Sequence, residues 1–241
     1  MQAPDQTMIA QDQYASQGYA ILRDSTLQDR VMALRAGFET NFASRFTDDP
    51  QRNRNLIKRF GDSLGAARFF AAPEIETAAH ALGIADPVFC GPIITHYTSH
   101  DLTGGSYGLP YHQDWRSMGS SDRCAILWVS LTESGPQTHG LEVVPGAHNE
   151  GLFDWTDQRG DAPPPDTPGG LPTRVLTVGP GDVVLMSALL PHRTYVHPQF
   201  TGWKLSLSRR VDDLTCSAWA GRGFANAYGN AVDRGLYKKW I

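Results

Sequence analysis

Apolar and polar positions follow two different rhythms along this chain. Before about residue 90 the apolar residues recur at helical spacing. Beyond Pro92 they form short runs separated by Gly, Pro and Asp. Tyr14 to Leu22 reads as a helix end closed by Gly18 and followed by an apolar strand, because glycine accepts the left-handed backbone that stops a helix. Ser25 or Thr26 can cap a helix from about Leu27 to Phe42, with Val31, Ala33, Leu34 and Phe38 at helical spacing. Polar Thr47 to Asn55 reads as a mobile loop. Pro73 and Gly83 bracket a further helix reaching about Leu82.

The strands expected after Pro92 are Ile93–Tyr97, Cys124–Leu131, Leu141–Val144, Arg174–Val178, Val183–Met186 and Lys204–Val211. Gly179-Pro180-Gly181-Asp182 is a strong turn before one of them. Short strands with regular Gly/Pro punctuation, and no alternating βαβ units, predict a mainly β sandwich or barrel. The stretch Asp154 to Pro172 is rich in Asp, Gly and Pro; a loop this long in a compact domain is usually functional, so a lid over a site is expected. There is no internal repeat. The organisation expected is one domain over 1–241, helical over about 1–90, with a β core over about 91–215.

Composition narrows the function classes. A chain of 241 residues with 41% hydrophobic and 19% charged residues has enough material for an ordinary core. The net charge is −4 and the basic residues are scattered, which argues against nucleic acid and anionic membrane partners. Cys90, Cys124 and Cys216 are odd in number, far apart and in no CxxC pair, which fits a reducing compartment and disfavours Cys-ligated zinc. No apolar run has membrane-spanning length, and Met1 to Gln13 has no apolar signal core. A soluble, cytoplasmic protein is expected.

Against that background one group of residues carries chemistry: His112 and Asp114 in Leu109-Pro-Tyr-His-Gln-Asp-Trp115, and His192 far downstream. Two imidazoles and one carboxylate are the ligand set of a mononuclear non-haem Fe(II) site, which leaves coordination positions open for substrates. Alternate residues of a strand point the same way, so His112 and Asp114 can aim at one ion from a single strand end. Single histidines are usually structural; here Gly104 to Gly108 before the pair, and the Gly181-Asp182 turn and Pro191 before His192, place the donors at strand ends.

Around these ligands the chain carries Leu127-Trp-Val-Ser-Leu131, then Gly140-Leu-Glu-Val-Val-Pro-Gly-Ala-His148, then Pro180-Gly-Asp-Val-Val-Leu185. In this order, from Gly18-Tyr19 to about Val211, it resembles the phytanoyl-CoA dioxygenase-like group of Fe(II)/2-oxoglutarate-dependent oxygenases. The resemblance implies a double-stranded β-helix, a jelly-roll or cupin-like core flanked by N-terminal helices. It implies His112, Asp114 and His192 as ligands of Fe(II), with 2-oxoglutarate and O2 as co-substrates.

Members of that group commonly hold the distal carboxylate of 2-oxoglutarate with an Arg-x-Ser arrangement a short way past the last histidine. The matching stretch here is Trp203-Lys-Leu-Ser-Leu-Ser-Arg-Arg210, where alternation puts Lys204, Ser206, Ser208 and Arg210 on one face. Lys204 is the expected anchor, with Ser206 contributing its hydroxyl. This departs from the family pattern, because Lys is a point charge without the planar fork of Arg. Arg210 is the rival anchor, though far along the strand, and is read instead as a buried ion-pair partner. Among Thr95, His96 and Tyr97, Tyr97 is preferred for orienting 2-oxoglutarate, and Trp128 is read as core.

Asp114 fills the position that a halogenase leaves open, so hydroxylation or another C–H oxidation of a small molecule is expected, with 2-oxoglutarate converted to succinate. Trp115, Arg116 and Arg193 flank the ligands and suggest a carboxylate-bearing substrate; Trp155, Tyr195, His197 and Trp219 are further aromatic neighbours. The competing readings are a cupin-like Mn or Zn enzyme without O2 chemistry, and a non-catalytic metal-binding module.

Overall fold

The computed structural model describes residues 6–23, 25–100, 108–118, 120–153 and 170–226. Helix α1 (Gln6–Gln17) ends where expected: Gly18 takes φ 78°, its N–H donating to the Tyr14 carbonyl at 2.8 Å. Strand β1 (Tyr19–Arg23) follows, then α2 (Ser25–Asn41), α3 (Pro50–Gly61), α4 (Leu64–Phe70) and α5 (Pro73–Ala81). Then come β2 (Pro87–Ser99), a single-turn α6 (Trp115–Met118), β3 (Ala125–Ser130), β4 (Gly140–Val143) and β5 (Arg174–Val175). Strands β6 (Asp182–Ser187), β7 (His192–Tyr195) and β8 (Trp203–Asp213) and a last turn, α7 (Ser217–Ala220), complete the order. No helix among the described residues is long and apolar enough to cross a membrane.

The sequence reading missed α4 and β7 and made β5 longer than its two residues, and two further departures are instructive. The polar stretch read as a loop over Thr47 to Asn55 instead starts α3. The Asp49 carboxylate accepts from the N–H groups of Gln51 and Arg52, and Pro50 occupies the first turn, the pairing that starts a helix without wasting a donor. Only Ile57, Phe60 and Gly61 of α3 are buried, so its apolar stripe was too thin to announce itself. Strand β2 begins well before Ile93: Pro87 to Cys90 pair with Asp213 to Arg210, and the register then slips between Cys90 and Ile94. That irregularity places Pro92, which cannot donate to a ladder, where no donor is needed.

The strands form a five-stranded sheet, β1-β6-β3-β8-β2, facing a three-stranded sheet, β5-β4-β7. This antiparallel, mainly β arrangement is the jelly-roll type expected. Alternation sorts the side chains of the larger sheet. Leu127, Val129, Val183, Leu185, Leu205 and Leu207 point outward and pack under α2 to α5 through Leu27, Val31, Phe38, Phe60, Phe69 and Ile75. Ile126, Trp128, Val184 and Met186 point inward, toward Leu141 and Val143 of the smaller sheet. Burial on both faces explains why β3 reads as a continuous apolar run instead of an alternating one.

Candidate metal centre and co-substrate pocket

His112 and His192 are brought together by backbone pairing. The His112 N–H donates to the His192 carbonyl at 2.9 Å and the His192 N–H to the His112 carbonyl at 3.0 Å, which makes the two a directly opposed antiparallel pair. One step earlier the Thr194 N–H donates to the Leu109 carbonyl at 3.0 Å, and the Leu109 N–H to the Thr194 hydroxyl at 3.2 Å. Gly108 lets this approach happen: its φ is 123°, and a Cβ there would lie 2.4 Å from the Thr194 side chain. β7 pairs on its other edge with β4, His192 opposite Val143. The His112 segment thus extends the smaller sheet, and Asp114 sits just before α6, where the Trp115 N–H donates to the Ala188 carbonyl at 3.0 Å.

Between His112 and Asp114, Gln113 points away and is buried. Its amide donates to the Gly151 and Leu189 carbonyls at 2.8 and 2.6 Å and accepts from the Phe153 N–H at 2.8 Å. That residue, not singled out from the sequence, clamps the His112–Asp114 segment between two loops.

One donor atom from each of His112, Asp114 and His192 falls within 4.8 Å of the others, so one ion can touch all three. Orientation agrees with this. His112 Nδ1 lies 2.8 Å from the Pro110 carbonyl, and His192 Nδ1 2.9 Å from the Leu190 carbonyl. Carbonyls only accept, so both Nδ1 atoms carry protons and both Nε2 lone pairs are left for a metal. Burial, followed by the neighbouring His112, pushes His192 down to about 4, which keeps it neutral and ready to ligate near pH 7. Burial alone would raise the Asp114 carboxyl; the Arg210 guanidinium, with the two histidines, overrides it and holds the group well below the usual carboxylate range. Arg210 Nη2 donates to Asp114 Oδ2 at 3.0 Å, an ion pair in which both side chains are buried.

The same cavity reaches Lys204, lined also by His96, Trp128, Ser208 and Arg210. Lys204 is only 2% exposed, and burial lowers its ammonium to about 7. Its Nζ lies 3.4 Å from Ser206 Oγ and 5.1 Å from the Trp128 ring centre. No carboxylate among the described residues forms a salt bridge with it. His96 faces the same cavity, with Nε2 3.1 Å from Ser208 Oγ; burial, then the Lys204 and Arg210 charges, lower it to about 3, so it is neutral.

Of the other expected site residues, Arg193 lines this cavity, whereas Tyr97, Trp115 and Trp219 lie elsewhere. Tyr97 is carried by alternation to the outer face, opposite Leu205, where it stacks on Trp203 with ring centres 5.7 Å apart and packs on Phe38 and Phe46. The neighbouring His96 takes the inward position instead. Trp115 is buried core, its indole N–H donating to the Ser121 carbonyl at 3.1 Å. Trp219 likewise donates inward, to the Ala225 carbonyl at 2.8 Å. Arg193 is engaged by Glu142 and lies over the Tyr111 ring, 4.5 Å from its centre. The Arg116 side chain, Trp155 and most of the expected lid from Asp154 to Pro172 lie outside the described residues.

A jelly roll whose smaller sheet and the turn into α6 converge two histidines and an aspartate on one point defines the class of mononuclear metal proteins with open coordination positions. The sequence places the chain within that class: residues 14–197 match the model of the phytanoyl-CoA dioxygenase (PhyH) family, and the chain belongs to that family. The family uses Fe(II), 2-oxoglutarate and O2, the cofactor set expected from the sequence. No curated protein matches the sequence. Among solved structures, the chain is similar in fold to the non-haem α-ketoglutarate-dependent epimerase SnoN of nogalamycin biosynthesis, at TM-score 0.62 and 17% identity, covering 88% of this chain and 84% of that one. EctD from S. alaskensis gives TM-score 0.62 and 17% identity over 88% of this chain and 77% of its own. The non-haem monooxygenase ThoJ gives TM-score 0.62 and 14% identity over 85% of this chain and 77% of its own.

Proposed function

We propose that this protein is an Fe(II)/2-oxoglutarate-dependent oxygenase that hydroxylates, or otherwise oxidises a C–H bond of, a small-molecule metabolite. His112, Asp114 and His192 would hold the ferrous ion, and Lys204 with Ser206 would receive the distal carboxylate of 2-oxoglutarate. Bound there, the iron and the keto acid would supply O2 activation, with 2-oxoglutarate, O2 and substrate C–H becoming succinate, CO2 and C–OH.

The observation that carries this reading is a buried ammonium without a carboxylate partner among the described residues, in the same cavity as three convergent donors. Burying an uncompensated charge is costly, and a dicarboxylate bridging donors and ammonium removes that cost. A Mn or Zn site for hydrolysis or isomerisation has no use for such a cation, nor has a bare metal-holding module. SnoN, similar in fold, has been solved with Fe3+ and α-ketoglutarate, which fits the same co-substrate here.

The residues of this chain then have distinct tasks. The Pro110 and Leu190 carbonyls fix both imidazoles with Nε2 forward. Trp128, Ile126 and Leu141 wall the cavity, and apolar walls keep water from the charged groups. Neutral His96 takes no positive charge near pH 7 and so does not compete with Lys204 for the anion. No general base is required; Arg193 lines the cavity while engaged by Glu142, and remains a candidate contact for a carboxylate-bearing substrate.

The test is uncoupled succinate formation from 2-oxoglutarate with Fe(II), screened across candidate metabolites with oxygen consumption as readout. His112→Ala or Asp114→Ala should abolish turnover while the folded circular dichroism spectrum persists. Full activity in either variant would exclude this ligand set.

A further inference from the structure

The Asp114 carboxylate is gripped by a neighbouring guanidinium. Its Oδ2 accepts from Arg210 Nη2 at 3.0 Å, while Oδ1 faces His112 Nε2 at 3.6 Å. Arg210 is itself tethered, because Nη1 donates to Ser208 Oγ at 3.1 Å. The Ser208 hydroxyl, having accepted that bond, still has its own proton to donate to His96 Nε2, 3.1 Å away. His96, Ser208, Arg210 and Asp114 therefore form one hydrogen-bonded chain that ends at the metal ligands.

From this geometry we infer that Arg210 is a positioning residue that restricts Asp114 to coordination through Oδ1 alone and so preserves a coordination position for the co-substrates. The inference rests on the metal-site reading above and goes beyond it. A carboxylate free to turn can ligate through both oxygens and take up a position that a chelating keto acid needs. The guanidinium occupies Oδ2 and, through its rigid planar fork, fixes the carboxylate plane as well as balancing its charge. Lysine at the same position could supply the charge but not the fork. Strand geometry puts Arg210 in place for this: it sits opposite Ile126 on β3 and Cys90 on β2, on the inward face and deep in the sheet.

The experiment uses the full chain with Mn(II) as the probe ion. Wild type, Arg210→Lys, Arg210→Gln, Ser208→Ala and His112→Ala are compared for Mn(II) affinity and for water-proton relaxation enhancement per bound ion, which counts exchangeable waters on the metal. Removing an outer partner of a ligand typically weakens metal binding about 10–100-fold. Arg210→Lys should therefore lose about tenfold in Mn(II) affinity and lower the enhancement per ion, because Asp114 displaces a water with its second oxygen. Ser208→Ala, which leaves the ion pair in place but frees the guanidinium, should move the enhancement the same way, and it carries the test if Arg210→Gln does not fold. Wild-type affinity and enhancement in these variants would overturn the inference. Weaker binding with unchanged enhancement would assign Arg210 to charge balance alone and overturn it too. Failure of the metal-site reading looks different: the wild type would bind no Mn(II), or His112→Ala would bind it equally well.

Discussion

Replacing Lys204 with Met separates co-substrate binding from stability more sharply than any other change in this molecule. Lys204 is 2% exposed, and burial lowers its ammonium from 10.5 to about 7. A group depressed in this way is a burden on the fold wherever the unfolded chain would carry the proton. Between about pH 7 and 10.5 the unfolded chain binds more protons than the folded one, so wild-type stability should rise with pH across that window. The full burden, present at and below pH 7, corresponds to the shift from 10.5 to about 7, or about 5 kcal/mol as an upper bound. Methionine fills a similar volume without charge. The metal-free variant should therefore be more stable than wild type in urea at pH 6, with the difference shrinking toward zero at pH 10. The same substitution should weaken 2-oxoglutarate binding by about 2–5 kcal/mol, at least about 30-fold, as expected when one partner of a buried charge pair is lost. Metal affinity should change little. Isothermal titration with 2-oxoglutarate, metal titration and urea melts at the two pH values supply all three readouts. Equal effects on metal and co-substrate, or a stability difference that ignores pH, would refute the assignment of Lys204.

Wild-type 2-oxoglutarate affinity should itself fall as pH rises above about 7, since the free protein then loses the Lys204 proton that binding must restore; a flat profile from pH 7 to 9 would count against Lys204 as the anchor. Gly108→Ala should cost about 1–3 kcal/mol for the forced backbone and should weaken metal binding as well, because a Cβ there meets Thr194 at 2.4 Å; thermal melts and Mn(II) titration would show it. Tyr97→Phe should leave the 2-oxoglutarate requirement unchanged, since its ring packs on Trp203 and Phe38 on the outer face. A raised requirement in steady-state assays would return Tyr97 to the site.

Several features were legible before any coordinates. The helix stop at Gly18, the helix from Pro73 and the strands around Leu127 and Val184 follow from local rules: a left-handed glycine, a proline in the first turn, apolar runs between turns. Chain order alone suggested His112, Asp114 and His192 as a set. Local pattern failed where polarity concealed structure, as in α3, whose capping carboxylate and leading proline outweighed a thin apolar stripe.

By itself, the sequence determined the fold class, the family and the three donors that the fold would have to gather, because each is written in residue type and spacing. Tertiary structure alone decided which side chains share a cavity. One step along β2 separates His96, inside, from Tyr97, outside, and a pattern of mixed polar residues does not reveal which face is which until β8 fixes the register. It also decided that Arg210 grips Asp114 and that Lys204 has no carboxylate beside it among the described residues. Those facts depend on distances between segments far apart in the chain, and no local rule of hydrogen bonding or burial contains them.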